Sequence, residues 1–481
     1  MAAEISHDGA GGRALKRNPT FWFYGLGSIP FGIKDNAFSY LLLIYANQCL
    51  GLPGWQASLA MVIALAWDSV TDLLLGHWSD KTHSRWGRRH PFMYVGLLVL
   101  PLSFLALFMP LMTLTEANTF LYVLALTLLI RTGVTLFEVP NVALLPDLES
   151  DYDKRNTWFA LRFFLGWYGG NGIQVLNITF WVGALGFANP EGYAIYGWVG
   201  AVAIALMIAV SSLGTHKAAA ALPPPREPMR WREIGREMGQ MLQSLKNRNF
   251  LALFAYSLML YVATGMGAAL YLYILRYFYG FSHQQMGFIG VAVFIGPLVA
   301  ALAGPPLAAR FGKKRVGIIA ILSYVVIYPI VPLLLLNGIW PGIGSWASTW
   351  IVAAVTALDV VLLTLQGILI SSMVADVVED SEVRTTRRSE GLFFATRSFA
   401  QKLISAGGIM GAGVIVSLVG FDTVQNLEDV TYEMRRHMLT LFAPAYVSIL
   451  LLGTMMIGFY KIDRTQHNRN LASVGRSAPA Q

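Results

Sequence analysis

Two carboxylates stand one helical turn apart inside an apolar stretch of the chain. Asp68 and Asp72 both lie in residues 56–79, and Thr71 is next to Asp72. Side chains four residues apart share one face of an α-helix, so both carboxylates point to the same side. Carboxylate and hydroxyl oxygens are ligands for hard cations, and a buried carboxyl can instead hold a proton. The spacing therefore predicts a cation site on this helix.

A second apolar stretch, residues 118–146, carries groups of the same kind. Thr135 and Glu138 lie on one face of its predicted helix, at a depth similar to that of the two aspartates. Ionisable residues within membrane-crossing helices are costly and usually functional. The alternative is that the acids only neutralise two buried bases, Arg131 and Arg162. The sequence leaves open whether Arg131 is a partner of an acid or part of a gate.

A third group of charges comes from several predicted helices. Lys34 and Asp35, Arg162 and Lys402 all lie inside apolar stretches. Charged donors and acceptors that converge from different helices suit a polar, multi-hydroxyl or anionic substrate. The alternative is a salt-bridge network without a ligand. The two interpretations are compatible if substrate binding breaks this network.

Three further charged residues are interpreted as structural. Asp359 and Arg397 lie on neighbouring predicted helices and are expected to form an ion pair. Arg276 lies near one end of its helix, where a long side chain can extend to the membrane interface.

The composition is that of a membrane protein. Of 481 residues, only 13% are charged and 55% are hydrophobic, and the mean hydropathy is +0.54. About a quarter of the residues of a soluble domain are charged, so a soluble enzyme of this size could not cover so much apolar surface. The single cysteine, Cys49, excludes a disulfide framework and a cysteine-based metal cluster. The polar first twenty residues lack the apolar core of a cleaved signal peptide.

Apolar stretches long enough to cross roughly 30 Å of hydrocarbon recur along the chain. They predict an all-α membrane protein with twelve transmembrane helices. The two tails and alternate connections contain 27 of the 35 Lys and Arg residues, whereas the opposite connections contain two. Positively charged loops remain in the cytoplasm, so both termini are predicted to be cytoplasmic. The predicted spans are 21–50, 56–79, 91–113, 118–146, 157–186, 193–215, 249–279, 285–309, 316–340, 346–378, 391–421 and 436–460.

An internal repeat divides these spans into two pseudo-symmetric bundles of six helices. Arg85-Trp-Gly-Arg-Arg89 and Arg310-Phe-Gly-Lys-Lys314 are 225 residues apart, and Pro146-Asp-Leu148 and Ala375-Asp-Val377 are 229 apart. Two such bundles are the architecture of an alternating-access transporter. The predicted domains are a cytoplasmic tail (1–20), the first bundle (21–215), a cytoplasmic linker with an amphipathic helix (216–248), the second bundle (249–460) and a cytoplasmic tail (461–481).

The most specific motifs surround the second span. Gly76-His-Trp-Ser-Asp80, followed by Ser84-Arg-Trp-Gly-Arg-Arg89 and Pro91, resembles a loop motif of the major facilitator superfamily. Trp67-Asp68 and Asp72 ahead of it are similar to the glycoside–pentoside–hexuronide:cation symporters, whose best-known member is the melibiose permease. Further motifs that resemble this family follow in order along the chain: Val139-Pro140, Ala143-Leu144, Pro146-Asp147, Asp151-Tyr-Asp-Lys-Arg155, Met373-Val-Ala-Asp376, Glu390-Gly-Leu-Phe393 and Gln401-Lys402.

The resemblance implies a role for each matching position. The cation site, for Na⁺, Li⁺ or H⁺, would consist of Asp68, Thr71, Asp72 and Thr135. Thr71 stands where the melibiose permease has Asn, so the identity of the cation stays open. The sugar would contact Lys34, Asp35, Glu138 and Arg162, with Lys402 near both sites to couple them. The cytoplasmic gate would include Asp80, Arg85 and Arg88.

Two positions depart from the family's pattern. The melibiose permease flanks its sugar with aromatic residues where this chain has Val142 and Gly367, so galactoside specificity does not carry over. Lysophosphatidylcholine transporters of the same branch keep the cation acids and have a wider pocket, which makes a lysophospholipid or another amphiphile the alternative substrate. Those lysophosphatidylcholine transporters lack a pair like Lys34-Asp35, and its presence in this chain favours a sugar as the substrate. A non-transporting membrane sensor or scaffold is a further alternative.

The predicted function is therefore cation-coupled symport of a glycoside or other sugar-like solute by alternating access. We expect a multi-pass protein of the cell membrane that works as a monomer in the lipid bilayer, without enzymatic activity. We expect no cofactor, no metal other than a Na⁺ ion at the cation site, and no nucleic-acid partner.

Overall fold

The computed structural model describes residues 18–149, 151–221, 239, 246–385, 390–424, 427–462, 466 and 469. Most of the predicted linker, including its amphipathic stretch, and residues 386–389 lie outside these ranges. The side chain of Arg397, the predicted partner of Asp359, is also outside the described part of the chain.

Every regular element within the described residues is helical. Three π-helical turns, Ala37–Leu41, Tyr45–Cys49 and Ile274–Phe278, interrupt or end longer helices, and Phe421–Thr423 and Leu427–Asp429 are 3₁₀ turns. We number the α-helices α1 Pro19–Leu26, α2 Ile29–Asn36, α3 Leu42–Ile44, α4 Gly54–Lys81, α5 His90–Phe108, α6 Glu116–Ala143, α7 Leu145–Leu148, α8 Tyr152–Phe180, α9 Val182–Leu185, α10 Pro190–Ala220, α11 Arg248–Tyr273, α12 His283–Ala292, α13 Ile295–Phe311, α14 Lys313–Leu336, α15 Trp346–Thr385, α16 Glu390–Val419 and α17 Tyr432–Gly458.

Short polar residues fix where several of these helices begin. The Asn189 side chain accepts a hydrogen bond from the Glu191 amide, directly before Pro190 opens α10. Ser282 and Gln285 form a reciprocal capping box at the start of α12. Such caps satisfy backbone N–H groups that have no partner within the helix. The helices therefore begin at positions set by the local sequence.

Nine helical segments in the described ranges are long and apolar enough to cross a membrane. Three of the twelve predicted spans, the first, fifth and eleventh, have no such helix. These three carry the bases predicted to contact substrate, Lys34, Arg162 and Lys402. The first of these spans is divided into short helical segments by two π-helical turns. The nine segments are Gly54–Lys81, His90–Phe108, Glu116–Leu148, Pro190–Ala220, Arg248–Phe278, His283–Phe311, Lys313–Leu336, Trp346–Val383 and Tyr432–Gly458.

The chain forms two compact units. Unit 1 consists of the described residues of Met1–Leu42 and Ile63–Arg230, and unit 2 of those of Leu43–Val62 and Trp231–Gln481. Residues 43–62 thus belong to unit 2, where Asn47 donates to Asp422 Oδ1 at 2.7 Å. The predicted domain boundaries, which assign the first two spans wholly to the first bundle, stay a prediction.

The internal repeat is visible in the backbone. Gly87 and Gly312 are 225 residues apart, and both have a positive φ, of 82° and 84°. Only glycine adopts this part of conformational space without steric cost. Each glycine stands at the middle of its repeated motif, so the two motifs share this backbone feature as well as a sequence pattern.

Helices α2 and α8 approach each other closely in unit 1. A Cβ atom added to Gly32 would lie 2.0 Å from the Gly166 carbonyl oxygen, and one added to Gly170 would lie 2.4 Å from the Gly32 carbonyl carbon. No side chain fits between the helices at this crossing. The two helices that carry Lys34 and Arg162 are therefore packed backbone to backbone at this crossing.

Candidate functional site

The first cluster of buried charge in unit 1 joins α4 to α6. Asp68, only 2% exposed, lies with Oδ2 3.4 Å from Arg131 Nη1 and accepts a hydrogen bond from the Thr135 hydroxyl at 3.3 Å on Oδ1. The guanidinium of Arg131 also lies over the ring of Phe38, 4.6 Å from its centroid. Removing either member of such a pair would leave an uncompensated buried charge. Arg131 is therefore a partner of Asp68 in this structure.

The other predicted cation ligands lie beside this pair. Thr71 donates its hydroxyl hydrogen to the carbonyl oxygens of Trp67 and Asp68, at 3.0 and 3.2 Å. Its oxygen keeps lone pairs that can accept a further contact. Asp72 is half-buried one turn after Asp68. The structure thus brings Asp68 and Thr135 into direct contact and leaves the Thr71 oxygen as an acceptor.

The second cluster is centred on Arg162, whose side chain is 6% exposed. Its Nη2 donates to Glu138 Oε1 at 2.6 Å and its Nη1 donates to the Asn141 side-chain oxygen. Asn141 in turn donates to the Ser211 hydroxyl at 3.2 Å, and the guanidinium lies 4.9 Å from the ring centroid of Tyr24. The second carboxylate oxygen of Glu138, Oε2, is buried and has no hydrogen-bond partner among the described residues.

Sequence reasoning missed Asn141, Tyr24 and Ser211. A signal for Asn141 existed, because it lies three residues after Glu138 and therefore on the same helix face. Tyr24 and Ser211 come from distant parts of the sequence, and no local pattern marks them.

The Lys34–Asp35 pair is unevenly buried. Lys34 Nζ lies 3.6 Å from Asp35 Oδ1, but the lysine side chain is 2% exposed and the aspartate side chain 54%. Adjacent residues of a helix point in different directions, which accounts for the difference. The ammonium group also lies 4.3 Å from the ring centroid of Phe31. Lys34 is thus fixed inside unit 1, whereas Asp35 faces open space.

The charged site residues within unit 1 balance once exposure is considered. Asp68, Asp72 and Glu138 stand against Lys34, Arg131 and Arg162, and the exposed Asp35 adds one negative charge at the open side. Asp68 and Glu138 already have arginine partners. A cation or proton that binds at these acids therefore has to weaken an existing ion pair.

Two further charged residues singled out from the sequence, Lys402 and Arg276, lie in unit 2. Lys402 is half-buried on α16. Arg276 donates from Nη1 to the Phe281 carbonyl oxygen at 3.1 Å, close to the end of α11.

A group of ion pairs joins the α4–α5 loop to α7, and we call it clamp 1: Asp80, Arg88, Arg89 and Asp147. Arg88 lies 2.8 Å from Asp147, and Arg89 lies 2.7 Å from Asp80 and also bonds Asp147. Two predicted gate residues, Asp80 and Arg88, are thus in ion pairs. The third, Arg85, lies 5.3 Å from the ring centroid of the exposed Trp86. Arg89 and Asp147 were missed as gate residues, although both stand in the recognised motifs.

A matching group in unit 2 occupies the repeated positions, and we call it clamp 2: Lys313, Asp376 and Tyr460. Lys313 Nζ lies 2.7 and 2.8 Å from the two oxygens of Asp376. The Tyr460 hydroxyl donates to Asp376 Oδ2 at 3.3 Å. Lys313 is 225 residues after Arg88, and Asp376 is 229 after Asp147. The two sequence repeats therefore form equivalent ion pairs in the two units.

An all-helical membrane protein with two units, repeated ion pairs and a charged cluster buried in one unit has the construction of a secondary transporter. The model of the MFS/sugar transport protein family matches residues 23–464. The chain belongs to this family, which confirms the family predicted from the motifs, and it is a multi-pass membrane protein.

Three relatives and one solved structure agree with this assignment. An uncharacterized symporter of Synechocystis sp. is 24% identical over 92% of this chain and 94% of its own. A glucuronide carrier protein homolog of Escherichia coli is 23% identical, with 91% of both chains covered. A sodium-dependent lysophosphatidylcholine symporter of Gallus gallus is 22% identical over 93% of this chain and 87% of its own. The inward open xylose transporter XylE from E. coli has a TM-score of 0.62 at 12% identity, covering 94% of this chain and 98% of its own, and shows the fold.

Proposed function

We propose that this protein carries a glycoside or another sugar-like solute across the cell membrane together with Na⁺, Li⁺ or H⁺. The observation that carries the proposal is the buried carboxylate of Glu138. Arg162 fixes one of its oxygens, and the other has no hydrogen-bond partner among the described residues. A buried acceptor without a partner costs about 1–3 kcal/mol, which a substrate hydroxyl would recover. A glucuronide carrier among the relatives agrees with such a substrate.

The coupling cation binds, in this proposal, at Asp68, Thr71, Asp72 and Thr135. The support is the direct contact of Asp68 with Thr135 and the position of the half-buried Asp72 one turn after Asp68. Arg131 already lies against Asp68, so a cation that enters must weaken that pair. A ligand shifts an equilibrium only by its differential affinity for the two states, and exchanging one partner of Asp68 for another supplies such a difference.

The remaining assignments complete the proposal. Lys34, Asp35, Glu138 and Arg162 bind the sugar, and Lys402 couples the two sites. The twelve predicted spans form two bundles with both termini in the cytoplasm, clamp 1 belongs to the cytoplasmic gate, and the protein works as a monomer. Its activity is transport rather than catalysis or sensing, and needs no cofactor.

Reconstituted transport tests the proposal directly. The purified protein in proteoliposomes is offered labelled monosaccharides, disaccharides, glycosides and one lysophospholipid, with and without an imposed Na⁺ or H⁺ gradient. Gradient-dependent accumulation of one sugar supports the proposal and names the cation. If no sugar is taken up but the lysophospholipid is, the result contradicts the sugar assignment.

The role of Glu138 is tested by Glu138→Gln. The amide keeps the shape but loses the charge that holds Arg162, so we expect substrate affinity to fall roughly 10- to 100-fold. Glu116→Gln is the matched control, because Glu116 is an exposed acid at the start of the same helix. Equal affinities for both variants and the unchanged protein would remove Glu138 from the substrate site.

A lysophospholipid is the second candidate substrate. Two observations favour it: the similarity to the lysophosphatidylcholine symporter, and the open space at Gly367, where an added Cβ would meet no atom within 4 Å. Gly367→Trp fills that space without a clash at Cβ. If the substrate is an amphiphile, this variant loses its uptake, and if the substrate is a compact sugar, uptake persists.

A further inference from the structure

A cavity of about 80 Å³ lies inside unit 2 between α11, α14, α15 and α17. It is several times larger than the roughly 10–15 Å³ that one water molecule requires. Its wall includes the aromatic residues Tyr271, Phe278, Tyr279, Tyr328 and Phe442. The cavity is thus large enough for a small organic group and is lined mainly by rings and aliphatic side chains.

Asp359 is the only charged residue that lines this cavity among the described residues. The hydroxyl of Tyr324 donates to the Asp359 main-chain oxygen at 2.6 Å. The described side chains give the Asp359 carboxylate no ion pair, and that of Arg397 is not among them. An ionised carboxylate in an apolar cavity is unstable without a cation or a proton.

Aromatic rings cluster beside this carboxylate. Tyr328 stacks on Tyr446 with ring centroids 4.4 Å apart, and Phe442 meets Tyr328 edge to face at 5.6 Å. Ring faces attract cations, and aromatic cages bind methylated ammonium groups in this way. A bare metal cation needs several oxygen ligands, of which this wall supplies few. One anion among rings therefore fits an organic cation better than a metal ion.

We propose that this cavity of unit 2 binds a small substituted ammonium group, with its charge against the Asp359 carboxylate and its methyl groups against the rings of Tyr328 and Phe442. None of the proposed cation or sugar residues, all of which lie in the described ranges, lines this cavity, so the proposal does not depend on them.

Choline and 3,3-dimethylbutan-1-ol are suitable probes, because they have nearly the same shape and differ in the positive charge. The purified protein is titrated with each in sodium-free buffer while its apparent unfolding temperature is followed, since a ligand that binds the folded state raises this temperature. We expect a saturable rise with choline and none with the neutral alcohol. Equal responses to both probes, or no response to choline, would overturn the proposal.

Three variants locate the response. Asp359→Asn and Tyr328→Leu are each expected to weaken the apparent affinity for choline by roughly tenfold or more. Glu433→Gln removes an exposed acid from α17 and serves as the matched control, with unchanged affinity expected. If Asp359→Asn binds choline as the unchanged protein does, or if Glu433→Gln weakens binding as much as Asp359→Asn does, the ammonium site is not in this cavity.

Discussion

Acidic residues inside the two units have different surroundings. In unit 1, acids of α4 and α6 form ion pairs with arginines of α6 and α8, and hydroxyl and amide groups surround them. In unit 2, Asp359 stands among aromatic rings. Paired charges that exchange partners can link a cation to a substrate, whereas a single carboxylate among rings can only select a charge and a shape. The comparison therefore favours unit 1 for the cation coupling proposed above.

The ion pairs of the two clamps, in contrast, are similar in the two units. Clamp 1 and clamp 2 occupy repeated positions and each places a base against an aspartate. The groups that contact the aspartate differ. Asp147 forms ion pairs with both Arg88 and Arg89, whereas Asp376 forms an ion pair with Lys313 and accepts a hydrogen bond from the Tyr460 hydroxyl. Both repeated positions thus form an ion pair, but the additional groups that contact the aspartate are different.

The largest expected effect comes from breaking the Asp68–Arg131 pair of unit 1. Asp68→Asn leaves a buried guanidinium without its carboxylate, which costs about 3–5 kcal/mol of folding free energy and should abolish cation-dependent uptake. The double variant Asp68→Asn/Arg131→Gln removes both charges, so stability should return while uptake stays lost. Thermal unfolding in detergent and gradient-driven uptake measure the two quantities. Recovery of uptake in the double variant would mean that the pair only neutralises charge.

A smaller effect is expected from the clamps, and it should be unequal. Lys313→Ala removes the ammonium group that pairs with the buried Asp376 carboxylate, which should cost about 1–3 kcal/mol. Arg88→Ala should cost under about 1 kcal/mol, because the pair is partly exposed and Arg89 still bonds Asp147. Unfolding temperatures of the two variants, compared in one detergent, decide the order. The reverse order would show that Arg89 does not compensate.

The effect at the repeated glycines should lie between those of the two clamp variants. Gly87→Ala and Gly312→Ala force a side chain into a positive φ, at a cost of roughly 1–2 kcal/mol each. Gly87→Ala should lose slightly more, because its new Cβ would also lie 3.1 Å from the Ala219 carbonyl oxygen. Gly407→Ala in α16 is the control, since an added Cβ there meets no atom within 4 Å. A loss in the control as large as in the other two would point to a general effect of alanine.

Much of the candidate site followed from local sequence. The four-residue spacing of Asp68 and Asp72, and the position of Thr135 one turn before Glu138, identify helix faces, because α-helical geometry is regular. The motif offsets indicated an internal repeat. Gly87 and Gly312 have similar positive φ values, and Arg88 and Lys313 each pair with an aspartate.

Partners between helices could not be predicted in the same way. The sequence marked Arg131 and Arg162 as buried bases but did not decide which acid each would meet, because the rotation and depth of a helix depend on its packing against its neighbours. The contact of Arg162 with Asn141 and Tyr24 joins three helices.

The sequence by itself determined the family, the membrane character and the identity of the charged residues, since these depend on composition and on motifs within single segments. Only the tertiary structure decided that Arg131 faces Asp68, that one oxygen of Glu138 has no partner among the described residues, and that residues 43–62 belong to unit 2. It also decided that Asp359 lines an aromatic cavity. These features join segments that are far apart in the chain, and a local pattern fixes the face of a helix but not what lies opposite it.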